Sequence, residues 1–202
     1  MKWSGEAKRG IGMRRWLAII ALIAVGGVLG AGAIVASVEI NRHTSTDAFC
    51  TSCHSMGHLA ADPFFTRSSH RNSSAGVLPS CGDCHIPKTN WFVETYAHVA
   101  GGIRDVIAEN TNNFADPAVW EKRRVELAHY VRDEMRRHDS VTCRGCHVAS
   151  AIQPASQRGR AAHALLAEGR MTCIDCHFNL VHAPVPPSAA FLRGSGLSTP
   201  TK

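Results

Sequence analysis

Residues Trp16 to Val38 form an unbroken apolar run, 23 positions without a charge. At about 1.5 Å per residue, a helix over this run crosses a hydrocarbon core about 30 Å thick, so a transmembrane anchor is predicted over 16–38. Past it the pattern becomes mixed. Asp116 suits a helix N-cap and Pro117 the first helical position, and Trp120, Leu127, Val131 and Met135 then recur at helical spacing between charges. Residues 91–108 also read as helix. No alternation of apolar and polar positions is long enough for a strand. The predicted fold class is therefore mainly α. From Ala183 on, Pro, Ser, Gly and Thr dominate, and a disordered tail is expected over 188–202.

Charge orients the anchor. The segment 1–15 carries Lys2, Lys8, Arg9, Arg14 and Arg15 against Glu6 alone. By the positive-inside rule this end is cytoplasmic and everything after Val38 lies outside. A cleaved signal peptide, cut near Ala33–Ala36, is the alternative. A signal core of about 7–15 residues is shorter than this run, which favours a retained single-pass anchor. Gly26 and Gly30 make one small-xxx-small pair. Plain membrane spanning is the better reading of it, with a homodimer as the alternative. A net charge of +6 with 45% apolar residues gives no sign of nucleic-acid binding.

Cysteine usage decides the chemistry. All eight cysteines fall in four copies of Cys-x-x-Cys-His: Cys50–His54, Cys81–His85, Cys143–His147 and Cys173–His177. None is left for a disulfide framework or a nucleophile. The motif reads as covalent c-type haem attachment, with Cys50, Cys53, Cys81, Cys84, Cys143, Cys146, Cys173 and Cys176 as the thioether residues. Zinc is the competing reading of paired cysteines. A histidine at the same offset in all four motifs, in an exported chain, favours four haems. Thioether attachment is made outside the cytoplasmic membrane, which agrees with the topology. In a Gram-negative cell this puts the anchor in the inner membrane and the haem domain, 39–187, in the periplasm.

The motifs are spaced by 31, 62 and 30 residues, a short-long-short order that suggests a duplicated two-haem unit. His70 precedes Cys81 by 11 residues and His163 precedes Cys173 by 10; "CGDCH" is echoed by "CIDCH". Residues 39–187 are too few to enclose four haems and also build an ordinary side-chain core. The expected architecture is short helices and loops wrapped around the haems, unfolded without them. The motif histidines His54, His85, His147 and His177 are the expected proximal ligands. Low-spin electron-transfer haems want a second strong ligand. His70 and His163 gain from their repeated positions, and His182 from standing five residues past His177 and shortly before Pro184. His129 and His138, in the charged helix, read as solvated.

The chain resembles the NapC/NirT family of membrane-anchored tetrahaem cytochromes, including its NrfH-like members. The resemblance rests on Cys50-x-x-Cys53-His54-x-Met56, "CGDCHIP" (81–87), "WEKRRVELA" (120–128), "DSVTCRGCH" (139–147) and "TCIDCH" (172–177) followed by His182. It implies a quinol dehydrogenase that oxidises membrane menaquinol or ubiquinol. Electrons would pass to a periplasmic reductase or a soluble cytochrome in anaerobic respiration of the nitrate or nitrite type. It further implies Met56 as axial ligand of haem 1, leaving open whether His54 binds that iron. His182 would serve haem 2 and His70 haem 3; His163 is the choice for haem 4, a position that a partner protein completes in NrfH-like members, whereas the internal duplication would point His163 at haem 1. At 202 residues, the chain is expected to lack the added C-terminal haem domain of pentahaem relatives.

Quinol lives in the bilayer, and Cys50 stands only 12 residues past Val38, the shortest tether of the four motifs. A base must take its protons. The family uses an acid and a lysine on the segment after motif 2. Asp105 matches the acid with a one-residue shift; in place of the lysine stands His98, with Tyr96 nearby. A histidine can hydrogen-bond and transfer protons. The alternatives are an anchored relay without its own quinol site, and a reductase of a small oxyanion, which needs an open haem position.

Overall fold

The structure is a computed structural model that describes residues 12–196. Most of the basic N-terminal segment, including Lys2, Lys8 and Arg9, and the end of the expected tail, 197–202, lie outside the described residues. The chain divides into two units, one ending at Ile40 and the other beginning at Asn41.

The first unit is the greater part of helix α1, Met13–Thr44. Its apolar window has a mean hydropathy of 2.5 with none of it buried, so it is long and apolar enough to cross a membrane. Apolar side chains stand on every face, the pattern of a helix solvated by lipid and not by water. Arg42 and His43 occupy the last turn, where positive charge suits the negative end of the helix dipole.

The second unit is helical throughout, with no strand among the described residues. Four short helices come first: α2 (Asp47–Cys50), α3 (His54–Ala61), α4 (Pro63–Thr66) and α5 (Cys81–His85). Two long ones follow. Helix α6 (Trp91–Thr111) starts at Asn90, whose side chain accepts from the Val93 N–H at 3.1 Å. It runs beyond the residue 108 read from sequence. Helix α7 (Pro117–Arg137) starts where its pattern predicts, with the Asp116 carboxylate accepting from the Ala118 N–H at 2.8 Å and Pro117 in the first turn. Then come α8 (Val141–Arg144), a 3-10 turn (Ala149–Ala151), α9 (Gln157–Ala167), α10 (Cys173–Cys176) and α11 (Ala189–Gly194).

Helix α11 corrects the expectation of a disordered tail for its described part, 188–196. Ser188 caps it, accepting from the Phe191 N–H at 3.0 Å, and Phe191 is 1% exposed. The composition concealed this because the partners are distant. The Arg136 guanidinium lies 3.9 Å over the Phe191 ring and donates to the Phe191 carbonyl at 2.8 Å. Arg132, 4% exposed, donates to the Val185 and Pro186 carbonyls and to Asn179 Oδ1. Two arginines of α7 thus supply donors to carbonyls that a proline-rich segment cannot satisfy for itself.

The buried apolar side chains among the described residues are few: Phe114, Ile174, Val185, Phe191 and Leu192. All but Phe114 lie at the C-terminal end. A unit of this size normally closes on a far larger apolar interior.

Candidate functional site

Each motif begins with a local problem. A Cys-x-x-Cys-His segment in helical form leaves N–H groups at its start without partners. Motifs 2 and 4 solve this internally. Ser80 precedes α5, and its hydroxyl accepts from the Asp83 N–H at 3.2 Å while the Asp83 carboxylate accepts from the Ser80 N–H at 2.8 Å. Thr172 and Asp175 form the same reciprocal box before α10, with the Thr172 N–H donating to Asp175 at 2.7 Å. The pattern Ser/Thr-Cys-x-Asp is therefore a capping box written inside a haem motif. Motif 3 starts at Ser140, in the left-handed region at φ 49°, whose buried hydroxyl accepts from the Ile174 N–H at 3.1 Å. Motif 1 straddles two helices: Cys50 ends α2, Cys53 is the N-cap of α3, and His54 is its first residue.

Contacts order the motifs in space as they are ordered in the chain. Helix α2 packs on α5 and α5 on α8, and the Ser140–Ile174 bond joins α8 to α10. Asp47 accepts from the Cys81 N–H at 2.7 Å and pairs with Arg71 at 2.9 Å. A Cβ on Gly82 would stand 2.6 Å from the Ser45 carbonyl, so glycine is required where α5 meets that turn. The Cys50 and Cys81 side chains act on each other, which lowers the Cys50 thiol against burial and pushes Cys81 up.

Three histidine pairs face each other. The ring centres of His85 and His182 are 6.1 Å apart, those of His70 and His147 6.1 Å, and those of His163 and His177 6.3 Å. Two imidazole nitrogens bound at about 2 Å on opposite sides of one metal put their ring centres about 6 Å apart. The pairs therefore fit a haem iron between them. The buried Nδ1 atoms of His70 and His182 have no hydrogen-bond partner. His163 Nδ1 lies 2.8 Å from the Gly159 carbonyl, which suits Nδ1–H as donor and leaves Nε2 free toward His177. Burial holds the His182 imidazole below its ordinary value. Desolvation, with His182 beside it, pulls the His85 imidazole down to about 4. A neutral imidazole is the form that binds metal. No group of three or more His, Cys, Asp or Glu side chains converges as a zinc site needs, among the described residues.

His54 has no such partner among the described residues. The remaining five rings are engaged elsewhere: His58 with Trp120 at 5.7 Å, His43 with Phe49 at 5.9 Å, His129 with the Pro186 carbonyl at 3.0 Å, His138 beside Glu134 at 3.6 Å and His98 with Ser45 at 3.1 Å. Met56 is on the same helix as His54, two residues on. Residues two apart project about 200° from each other around a helix, so α3 offers one iron His54 or Met56, not both.

Helix α6 turns an acidic face toward motif 1. Asp105 is exposed and pairs with Arg104 at 3.6 Å, whose guanidinium lies over the Tyr130 ring. Burial raises the Cys53 thiol, and the charges of Glu109 and Asp105 raise it further. His98 lies about 10 Å from Asp105 along the axis, so the two are not brought into contact. Both its nitrogens are engaged, Nδ1 with the Glu94 carbonyl at 2.9 Å and Nε2 with Ser45 Oγ at 3.1 Å. Ser45 Oγ also lies 2.8 Å from the Asn41 carbonyl, an alternative acceptor for its proton. Tyr96 is exposed. Glu109 was not singled out by its sequence context. Its carboxylate accepts from both the backbone N–H and the hydroxyl of Ser55. Its position four residues after Asp105, on the same helix face, was the available signal.

The NapC/NirT cytochrome c family, N-terminal region, matches residues 13–187. A protein of Nitrosomonas europaea named "Probable tetraheme cytochrome c-type" is 36% identical over 169 residues, covering 83% of this chain and 70% of that protein. The cytochrome c-type protein TorC of Escherichia coli is 33% identical over 182 residues, 89% of this chain and 45% of TorC. NapC of Paracoccus pantotrophus is 31% identical over 159 residues, 77% of this chain and 65% of NapC. The chain thus spans less than half of TorC and about two thirds of the other two. No solved structure matches. With its four Cys-x-x-Cys-His motifs and an N-terminal apolar helix, the chain belongs to the NapC/NirT cytochrome c family of multihaem electron-transport proteins.

Proposed function

We propose that this chain is a membrane-anchored tetrahaem quinol dehydrogenase, N-terminus cytoplasmic and haem domain periplasmic, that delivers electrons to a periplasmic reductase or soluble cytochrome. The observation that carries the proposal is the contrast between motif 1 and the rest. Three motifs have a second imidazole at the spacing of a closed iron, while motif 1 has none among the described residues and lies against the acidic face of α6. Closed irons suit electron transfer without substrate access. In this reading His85 and His182 hold haem 2, His147 and His70 haem 3, and His177 and His163 haem 4. Met56 ligates haem 1 and His54 turns aside. The spacing of His163 from His177 supports the family assignment over the one drawn from duplication.

When bound, the haems supply one-electron redox chemistry between quinol and acceptor. The protein does the rest. The eight cysteines fix the haems covalently. Asp105, the exposed acid beside motif 1, takes protons from quinol and returns them to water. His98 acts through its bond to Ser45, holding the start of α6 to the turn after α1. The motifs follow one another in space, so the order of electron passage is the order of the chain.

The test is stopped-flow reduction of the full-length protein in detergent by menaquinol and ubiquinol analogues. Wild type is expected to be reduced at the level of four haems, and Asp105→Asn to slow this about a hundredfold, the lower range for a lost general base. If neither quinol reduces it while dithionite does, the chain is an anchored relay fed by another protein.

A further inference from the structure

We infer that Glu109 is the positioning residue for the first haem motif: its carboxylate caps α3 from a different helix and fixes the His54–Met56 segment. The inference rests on the reading that this segment holds haem 1. The haem motif requires cysteine at position 53, which is the N-cap of α3, and Cys53 makes no side-chain cap. A thioether sulfur cannot improve on this. Ser, Thr, Asp or Asn would ordinarily stand there and accept from the first-turn N–H groups.

The missing acceptor comes from 54 residues away. Glu109 accepts from the Ser55 N–H at 3.4 Å and from the Ser55 hydroxyl. Ser55 is 2% exposed, so water does not compete for its donors. A carboxylate at a helix N-terminus also meets the positive end of the dipole. Ser55 lies between His54 and Met56. Holding its backbone and its hydroxyl together sets the rotation of α3, and that rotation decides which of the two side chains faces the iron. Motifs 2 and 4 need no such help, since Asp83 and Asp175 cap from within. Glu109 touches Ser55 and not the iron, so it acts through α3.

The test uses full-length protein carrying four haems, with each haem followed by electron paramagnetic resonance during a potentiometric titration with dithionite. Glu109→Ala is expected to shift the potential and the spin-state signal of one haem and leave the other three as in wild type. Glu109→Gln, which keeps an acceptor oxygen, is expected to restore most of the wild-type signal. Four unchanged signals in Glu109→Ala, or a disturbance spread over all four haems, would overturn the inference. Should Glu109→Ala fail to accumulate with four haems, Ser55→Ala decides: a change confined to the same haem supports the role, and an unaltered spectrum overturns it. No quinol enters this experiment. A wild type that quinol cannot reduce therefore defeats the electron-entry reading alone, while unchanged variant spectra defeat the role of Glu109 alone.

Discussion

Motif 1 and motif 4 meet the same covalent demand in opposite ways. Motif 4 is self-sufficient: Thr172 and Asp175 cap α10, Arg136 pairs with Asp175 at 2.6 Å, and His177 faces His163 across 6.3 Å. Motif 1 borrows its helix cap from Glu109 and has no facing imidazole among the described residues. A site for passing electrons gains from being closed and locally determined. On the proposed reading motif 1 meets quinol and needs an open side, and its geometry is set from outside the motif. The difference teaches that a repeated motif can share its attachment chemistry while its supports diverge with the task.

The largest expected effects test the closed side of this comparison. His70→Ala, His163→Ala and His182→Ala should each convert one haem in four from low to high spin and open it to carbon monoxide. His58→Ala should convert none, because that ring packs on Trp120. A high-spin haem in His58→Ala would break the comparison, since motif 1 would then have a histidine partner after all.

Next comes the support of motif 4 against that of motif 2. The Asp175 side chain is 4% exposed, whereas Asp83 is 39% exposed and paired with Lys88 at 2.7 Å. Removing one partner of a buried ion pair leaves a stranded charge, so Arg136→Leu should cost about 3–5 kcal/mol in denaturant unfolding. Lys88→Ala breaks an exposed pair and should cost about 0–1 kcal/mol. Equal losses would show that the two halves are supported alike.

These supports also divide what the sequence discloses from what it does not. The Cys-x-x-Cys-His motifs, the apolar run of α1 and the Asp116–Pro117 start of α7 are local, with each residue's partner a few positions away. His70 and His163, which face His147 and His177, stood out through their offsets within a repeat, and His182, which faces His85, through its place five residues past His177. Glu109, Arg132 and Arg136 were not. Their partners Ser55, Val185 and Asp175 lie 54, 53 and 39 residues off, and a charged residue in an amphipathic helix looks the same whether it faces water or clamps a distant loop. The tail was misread for the same reason. Its composition is polar, but Phe191 and Leu192 find burial against α7.

The caps give a smaller effect. Asp83→Ala and Asp175→Ala both delete an N3 carboxylate from a capping box, each worth about 1 kcal/mol as a cap. Asp175→Ala should cost more, because it also removes the ion pair with Arg136. Thermal unfolding of the two variants at neutral pH checks the order, and a larger loss in Asp83→Ala would reverse the ranking of the two motifs.

The smallest expected effect is in acid. The hydrogen bond from Lys88 holds the Asp83 carboxyl below its ordinary 3.8, helped by the Ser80 N–H and hydroxyl and opposed by partial burial. A carboxylate whose value is depressed on folding stabilises the fold above its unfolded value and loses that contribution as pH falls through the folded one. The contribution is therefore complete above pH 3.8 and fades below it. Asp83→Asn removes the titration while keeping a similar shape. Wild type should exceed this variant in denaturant midpoint near neutral pH, and the two should converge as the pH drops below 3.8. A gap that stays constant into acid would mean that Asp83 stabilises motif 2 by shape alone, making its cap independent of charge.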